Sequence, residues 1–267
     1  MRQLSLAALS ILDAGPVGQI AASAAAGWNC VGLRLNPLLP TDIAVVGHPE
    51  REAEVIRLMR ETGLSLLEIG VFPIKPDMNV EALEPVLGFA AKFGARFVVC
   101  PVEDADEQRR LATFQRLCDL CAKYRLDALI EFNPYSACGS LADALKIVQG
   151  AGRANAALVI DALHLSRSGG HPDDLRAVDP SLLKLVHFCD ATPFTPGAKS
   201  VDELRRESRT ARLLPGEGAL PLHELLAVLP PDCPISVEAP SARLAGLSAT
   251  ERARETLRAT MAFLATR

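Results

Sequence analysis

Four apolar runs in the second half of the chain each end in a side chain that can bind a cation or carry a proton. They read Ala-Leu-Ile-Glu131, Leu-Val-Ile-Asp161, Leu-Val-His187 and Ile-Ser-Val-Glu238. A carboxylate delivered into apolar surroundings is costly unless it is paired or bound to a cation. Three carboxylates brought together without one would repel each other and raise one another's pKa. A divalent ion removes both penalties. Three carboxylate oxygens and one imidazole suit Mn²⁺ or Mg²⁺, with Co²⁺ or Zn²⁺ as alternatives. Taken singly, each residue reads as readily as a helix cap or salt-bridge partner. As an ordered set they point to one divalent metal ion held by Glu131, Asp161, His187 and Glu238.

For these residues to meet, the runs that carry them must lie side by side. Strand-like apolar runs recur at Leu4–Ile11, Cys30–Leu35, Leu64–Phe72, Phe97–Val102, Ala128–Phe132, Ala157–Asp161, Leu183–Cys189 and Ile235–Glu238. Segments of helical period separate them: Pro16–Ala26, Pro49–Thr62, Val80–Phe93, Ala105–Tyr124, Ser140–Gln149, Pro221–Leu229 and Ser248–Leu264, with a short turn at Asp173–Val178. Gly27, Gly63 and Gly94 close three of them, as left-handed C-terminal caps do. Strand alternating with helix demands a parallel sheet, because a parallel neighbour is reached only through a crossover. Eight such units predict a (β/α)₈ TIM barrel, a single domain over residues 1–267. An open doubly wound sheet would carry a glycine-rich phosphate loop after its first strand, and SILDAGPVGQ holds no G-x-G-x-x-G. In a barrel the C-terminal strand ends carry the chemistry, and strands five to eight place the four ligands there. The irregular stretch Ala191–Arg212 is too long for a plain turn and is expected to be a lid or binding loop.

The series Glu131, Asp161-x-x-His164, His187, Glu238 resembles the xylose-isomerase-like TIM-barrel superfamily. That group includes sugar isomerases and epimerases, inosose and dehydroshikimate dehydratases, and nucleases of the endonuclease IV type. The resemblance covers the whole chain and is specific for the superfamily rather than for a substrate. It implies that Glu131 and Glu238 act both as metal ligands and as the acid/base pair, that Asp161 and His187 are ligands, and that His164 contacts substrate. Arg212, heading RLLPGEG, resembles the arginine that many epimerases of this group direct at a substrate oxygen. The residues themselves add Arg167, able to grip a carboxylate or phosphate, and Asn133 and Tyr135, placed to line the pocket. Glu68, within strand three, either points into the mouth or pairs with a lysine.

The chemistry so implied is proton transfer at a carbon next to a carbonyl. Chelation of the carbonyl oxygen and the adjacent hydroxyl acidifies the C–H and holds the enediolate. One glutamate removes the proton, and the same or the opposite one returns it. The expected enzyme is an isomerase or epimerase of a sugar, keto-sugar or related polyol acid. A hydroxyl β to the carbanion would make it a dehydratase of a cyclic keto-polyol instead. Arg167, Arg209 and Arg212 favour a substrate bearing a carboxylate or phosphate. A phosphodiesterase ranks behind, because its zinc cluster needs histidines at earlier strand ends. Here those ends read Leu-Arg34-Leu-Asn, Gly-Val-Phe and Cys-Pro-Val-Glu103, in a chain with five histidines.

A net charge of −4 and the lack of a basic stripe argue against a nucleic-acid partner. No run approaches the ~18 apolar residues of a membrane span. The start, MRQLSLAALSILDAGPVGQ, has little of a secretory signal. The seven cysteines are odd in number and dispersed, and Cys118-x-x-Cys121 falls in an amphipathic helical pattern. These features predict a cytoplasmic enzyme for a small carbohydrate or keto-acid. The barrels it resembles are commonly homo-oligomers.

Overall fold

Eight strands run parallel, each paired with its neighbours in sequence, and the eighth returns to the first to close a barrel. The computed structural model describes residues 2–266. The strands are β1 (Leu4–Leu6), β2 (Cys30–Leu33), β3 (Ser65–Gly70), β4 (Phe97–Pro101), β5 (Asp127–Glu131), β6 (Ala156–Asp161), β7 (Leu183–Phe188) and β8 (Ile235–Val237). The α-helices are α1 (Gly15–Ala26), α2 (Pro49–Thr62), α3 (Glu84–Ala91), α4 (Glu107–Ala122), α5 (Leu141–Ala151), α6 (Ala162–Arg167), α7 (Val201–Thr210), α8 (Leu222–Val228) and α9 (Ala249–Leu264). Gly27 and Gly63 take the left-handed cap conformation expected of them, at φ 95° and 68°. Among the described residues no helix is long and apolar enough to cross a membrane.

Two apolar layers hold the barrel. Cys30, Leu67, Phe97, Val99, Leu129, Ala157, Val159 and Leu185 fill its interior. Leu66, Val98, Ile130, Leu158, Ile160, Val186 and Val237 face outward and pack with helix residues such as Ile20, Val55, Leu117 and Ile147. Strand positions two apart share a face. Leu129 therefore sets the direction of Glu131, Val159 that of Asp161, and Leu185 that of His187. The charged residues are the next inward step above the apolar filling.

The structure departs from the sequence reading in four places. The first strand stops at Leu6 rather than Ile11, and a 3₁₀ helix follows over Ala8–Ala14. Ser10 substitutes for strand pairing there: its hydroxyl donates to Val237 O (2.9 Å) and accepts from Ala239 N (2.9 Å). The helix expected over Val80–Phe93 is divided into a 3₁₀ turn at Glu81–Leu83 and α3. The stretch Ala191–Arg212 contains α7, opened by a capping box between Ser200 and Glu203. It buries Leu204, Glu207 and Ser208 rather than an apolar stripe, so hydrophobic periodicity does not reveal it. The six-residue α6 follows β6 at once, with the Asp161 carboxylate accepting from His164 N at 2.9 Å as its N-cap.

A register shift in β3 bears on the site. Val31 pairs with Leu66, but Gly32 pairs with Glu68, so Leu67 is one residue too many on its strand. Such a bulge re-aims the side chains beyond it. Leu67 joins the interior layer, and the next residue, Glu68, also turns inward, towards β7 and β8. Gly32 makes the space: a Cβ there would lie 2.7 Å from Glu68 Oε1.

Candidate metal centre and substrate cavity

Glu131, Asp161, His187 and Glu238 converge at the C-terminal end of the barrel. All four are buried, and one ligand atom from each lies within 4.8 Å of the others. His187 Nδ1 stands 2.9 Å from Glu131 Oε1, 3.7 Å from Glu238 Oε2 and 4.0 Å from Asp161 Oδ2. That spacing is close to what a six-coordinate ion with metal–oxygen bonds of ~2.1 Å bridges. Three carboxylates buried together, repelling each other but for cationic neighbours, and an imidazole beside them are a donor set that fits a divalent cation.

Arg212 is the fixed counter-charge. Its side chain is 1% exposed, and Nη1 and Nη2 lie 2.6 Å from Asp161 Oδ2 and 3.0 Å from Glu238 Oε2. Nε donates to Ser208 O of α7 at 2.8 Å. The titrations reflect this crowding. Burial pushes Glu238 up to about 7, although His187 and Arg212 pull the other way. Burial disfavours charge on His187, yet Glu68, Glu238 and the hydrogen bonds to Glu131 and Glu68 raise it well above the ordinary imidazole value. Burial also opposes the Asp161 carboxylate, but Arg212, His164 and His187 hold it well below the usual range.

These directions give metal loading a sign. A cation must displace protons from Glu238 and His187, both raised, whereas Asp161 is already ionised and contributes no slope. Affinity for Mn²⁺ is therefore expected to rise with pH, by up to about a hundredfold per unit near pH 6, where both protons must leave, and about tenfold per unit near pH 8, where only that of His187 remains. Calorimetric titration across that range checks it, and a flat profile would contradict the proton competition.

Glu68 lies behind the centre. It is buried, its Oε2 stands 2.9 Å from His187 Nε2, and its Oε1 accepts a hydrogen bond from Ser236. His187 is thus held on both ring nitrogens, with Nδ1 left facing the carboxylates. Carboxylates that orient a ligating histidine in this way typically govern metal affinity. Glu68→Gln is expected to weaken Mn²⁺ binding by about 10- to 100-fold. Competition against a fluorescent chelator would read the change, and an unaltered affinity would reduce Glu68 to a packing residue.

Above the ligands opens a cavity of about 850 Å³. Glu131 and Glu238 line it, together with Asn133, His164 and Arg212. Asn133 also accepts from Tyr135 N at 3.3 Å. Burial lowers the His164 pKa, against the pull of Asp161, and its ring meets Tyr135 edge-on at 5.6 Å. The Tyr135 hydroxyl is 2.7 Å from Ser208 Oγ, which ties this wall to α7. Arg212 reaches the cavity wall but is engaged by two ligand carboxylates, a role the sequence reading did not assign to it.

Arg167 lies elsewhere. Its guanidinium is buried against Glu207 (2.9 and 2.7 Å) and Thr192 O (3.0 Å), over the ring of Phe194. It anchors α7 to α6 rather than facing the cavity. Lys199 shares Glu207 at 2.7 Å. Glu68, Arg34 and Ser208 are the site residues whose positions the sequence reading left unassigned. Glu68 depends on the bulge, Ser208 on the polar α7, and Arg34 on counting two residues beyond Gly32.

Over residues 20–266 the sequence matches the family described as xylose isomerase-like TIM barrel. The chain belongs to that family. Several proteins of known structure superpose on nearly its whole length. The IolI protein with a bound zinc atom matches at a TM-score of 0.81 and 16% identity, over 99% of this chain and 98% of that one. A D-allulose 3-epimerase from Methylomonas sp., in complex with D-allulose, matches at 0.68 and 17%, over 96% and 95%. The probable 3-DHS dehydratase AsbF of Bacillus anthracis matches at 0.70 and 16%, over 98% and 99%. At such identities the likeness shows the shared barrel and leaves the reaction to the residues. No curated protein matches the chain by sequence.

Proposed function

We propose that this xylose isomerase-like barrel is a divalent-metal-dependent isomerase or epimerase, moving a proton next to the carbonyl of a sugar, keto-sugar or related polyol acid. One observation carries the reading. Two buried glutamates, Glu131 on β5 and Glu238 after β8, reach the same cavity with the other two ligands, on β6 and β7, between them.

Mn²⁺ or Mg²⁺ suits this oxygen-rich set, with Co²⁺ or Zn²⁺ next, and such an ion supplies the Lewis acidity that polarises a carbonyl. The chain supplies the rest. Either glutamate accepts the proton of an activated C–H, and either returns it. Return on the opposite face inverts the carbon, while return to the neighbouring carbon moves the carbonyl. Arg212 fixes the carboxylate of Glu238, and His164 and Asn133 offer polar contacts to substrate hydroxyls along the wall. The seven cysteines are buried free thiols, which suits a reducing compartment, and we place the enzyme in the cytoplasm.

The test is solvent exchange. A panel of ketoses and keto-acids is incubated in D₂O with the Mn²⁺-loaded protein and followed by NMR. Deuterium at the carbon next to the carbonyl, dependent on added metal, is the expected result. Loss of water in the same tubes would assign the dehydratase branch. No exchange on any member with any of the four metals would overturn the reading.

A further inference from the structure

The chain is acidic overall, yet the wall of its cavity is not. Arg34, Lys75, Arg205, Arg209 and Arg212 line it, against the carboxylates of Glu103, Glu131 and Glu238. Most of these cations have partners. Arg212 holds Asp161 and Glu238, Lys75 faces Glu103 at 3.6 Å, and Arg205 meets Asp202 at 3.2 Å. Arg209 makes no ion pair among the described residues and stands on the exposed side of α7.

Arg34 is the better-built of the remaining two. Cys30 faces the barrel interior and Gly32 lies against Glu68, so position 34 is the next inward step along the same chain. Its side chain is 12% exposed, and Nη1 is 3.5 Å from Asp42 Oδ2. That oxygen already accepts the Leu38 and Leu39 amides at 2.9 and 3.1 Å, so Arg34 has only a share of it. Its Nε is buried and makes no hydrogen bond among the described residues. A largely buried guanidinium with one long, shared ion pair lines the cavity, where an anion would supply the charge-assisted partner it lacks. Arg34 and Arg209 also both line a second cavity of about 490 Å³, so both stand where the two cavities share a wall.

We propose that Arg34 and Arg209 bind an anionic group, a carboxylate or a phosphate monoester, carried by the substrate at the end remote from the carbon that exchanges its proton. The assignment rests on the reading above, in which the four-ligand centre handles that carbon. The planar fork of arginine matches both anions, and the hydrogen bonds are charge-assisted. Substrates of this enzyme are then polyol acids or sugar phosphates rather than neutral sugars.

The experiment is calorimetric titration of the Mn²⁺-loaded and the metal-stripped protein with glucose, glucose 6-phosphate and glucuronate, which differ at C6. At least one anionic probe is expected to bind about tenfold tighter than glucose, the effect of one good charge-assisted contact. The preference should persist without metal, and Arg34→Met and Arg209→Met should each remove most of it. Arg209 is exposed, so its variant keeps the test sound even if the Arg34 variant folds poorly. Preference for glucose 6-phosphate assigns a phosphate, and preference for glucuronate a carboxylate. Equal affinities for the three probes, or a preference that survives both substitutions, would overturn the proposal. The stripped protein separates the two readings: an anion preference there stands even if proton exchange fails, and exchange on neutral ketoses alone would leave the metal centre and remove the anion site.

Discussion

Replacing Glu131 or Glu238 by glutamine is expected to lower the rate of solvent-proton exchange by about 10³-fold, within the range for removing a general base. Glutamine keeps the size and the carbonyl oxygen of the side chain but cannot accept the proton. At position 131 it can still hydrogen-bond His187 Nδ1, which Glu131 approaches at 2.9 Å. At position 238 it removes the carboxylate that burial pushes up to about 7, in contact with Arg212 and near His187. Relief from the charges of Glu131 and Asp161 offsets the lost ion pair, so the metal-free Glu238→Gln protein should melt close to the parent. Metal content measured beside the exchange rate separates a lost base from a lost ligand. Full-rate exchange in both variants would remove the glutamates from the proton path.

The second large effect is expected at Arg212. Methionine fills most of its volume but leaves Asp161 and Glu238 buried without their cation. Breaking a buried pair from one side costs about 3–5 kcal/mol, and here the orphaned partners are two carboxylates rather than one. Arg212→Met should therefore unfold at markedly lower urea when stripped of metal. Added Mn²⁺ should restore much of the loss, because a bound cation takes over the charge that Arg212 supplied. The diagnostic quantity is the stabilisation on adding metal, which should be larger in the variant than in the parent. An equal gain in both proteins would show that Arg212 and the cation do not share the same carboxylates.

The barrel was legible because its signals are local. Apolar runs, helical spacing and glycine caps each occupy a few consecutive residues, and the inward alternation of a strand carries Glu131, Asp161 and His187 to one end without further information. The parts that stayed hidden are relations between distant segments. Glu68 faces inward only because β3 slips one residue against β2, which neither strand states alone. Arg167 was expected at the substrate on the strength of its place after His164, but it answers to Glu207, forty residues on. The helix α7 was within reach: Ser200-x-x-Glu203 is a capping box, although no apolar stripe follows it.

The barrel also divides its labour along the chain. Every candidate metal ligand comes from β5 onward, whereas Arg34, Lys75 and the loop bearing Leu38 and Leu39 come from the first half. A crossover between two such genes near residue 125 would keep the reactive centre of one parent, with the part of the wall that carries Asn133, His164 and Arg209, and inherit the part around Arg34 and Lys75 from the other. Glu68 is the exception that such a chimera must respect, since it reaches from the first half to support His187 in the second. With Gly32 beneath it, that pair of residues marks where recombination stops being free.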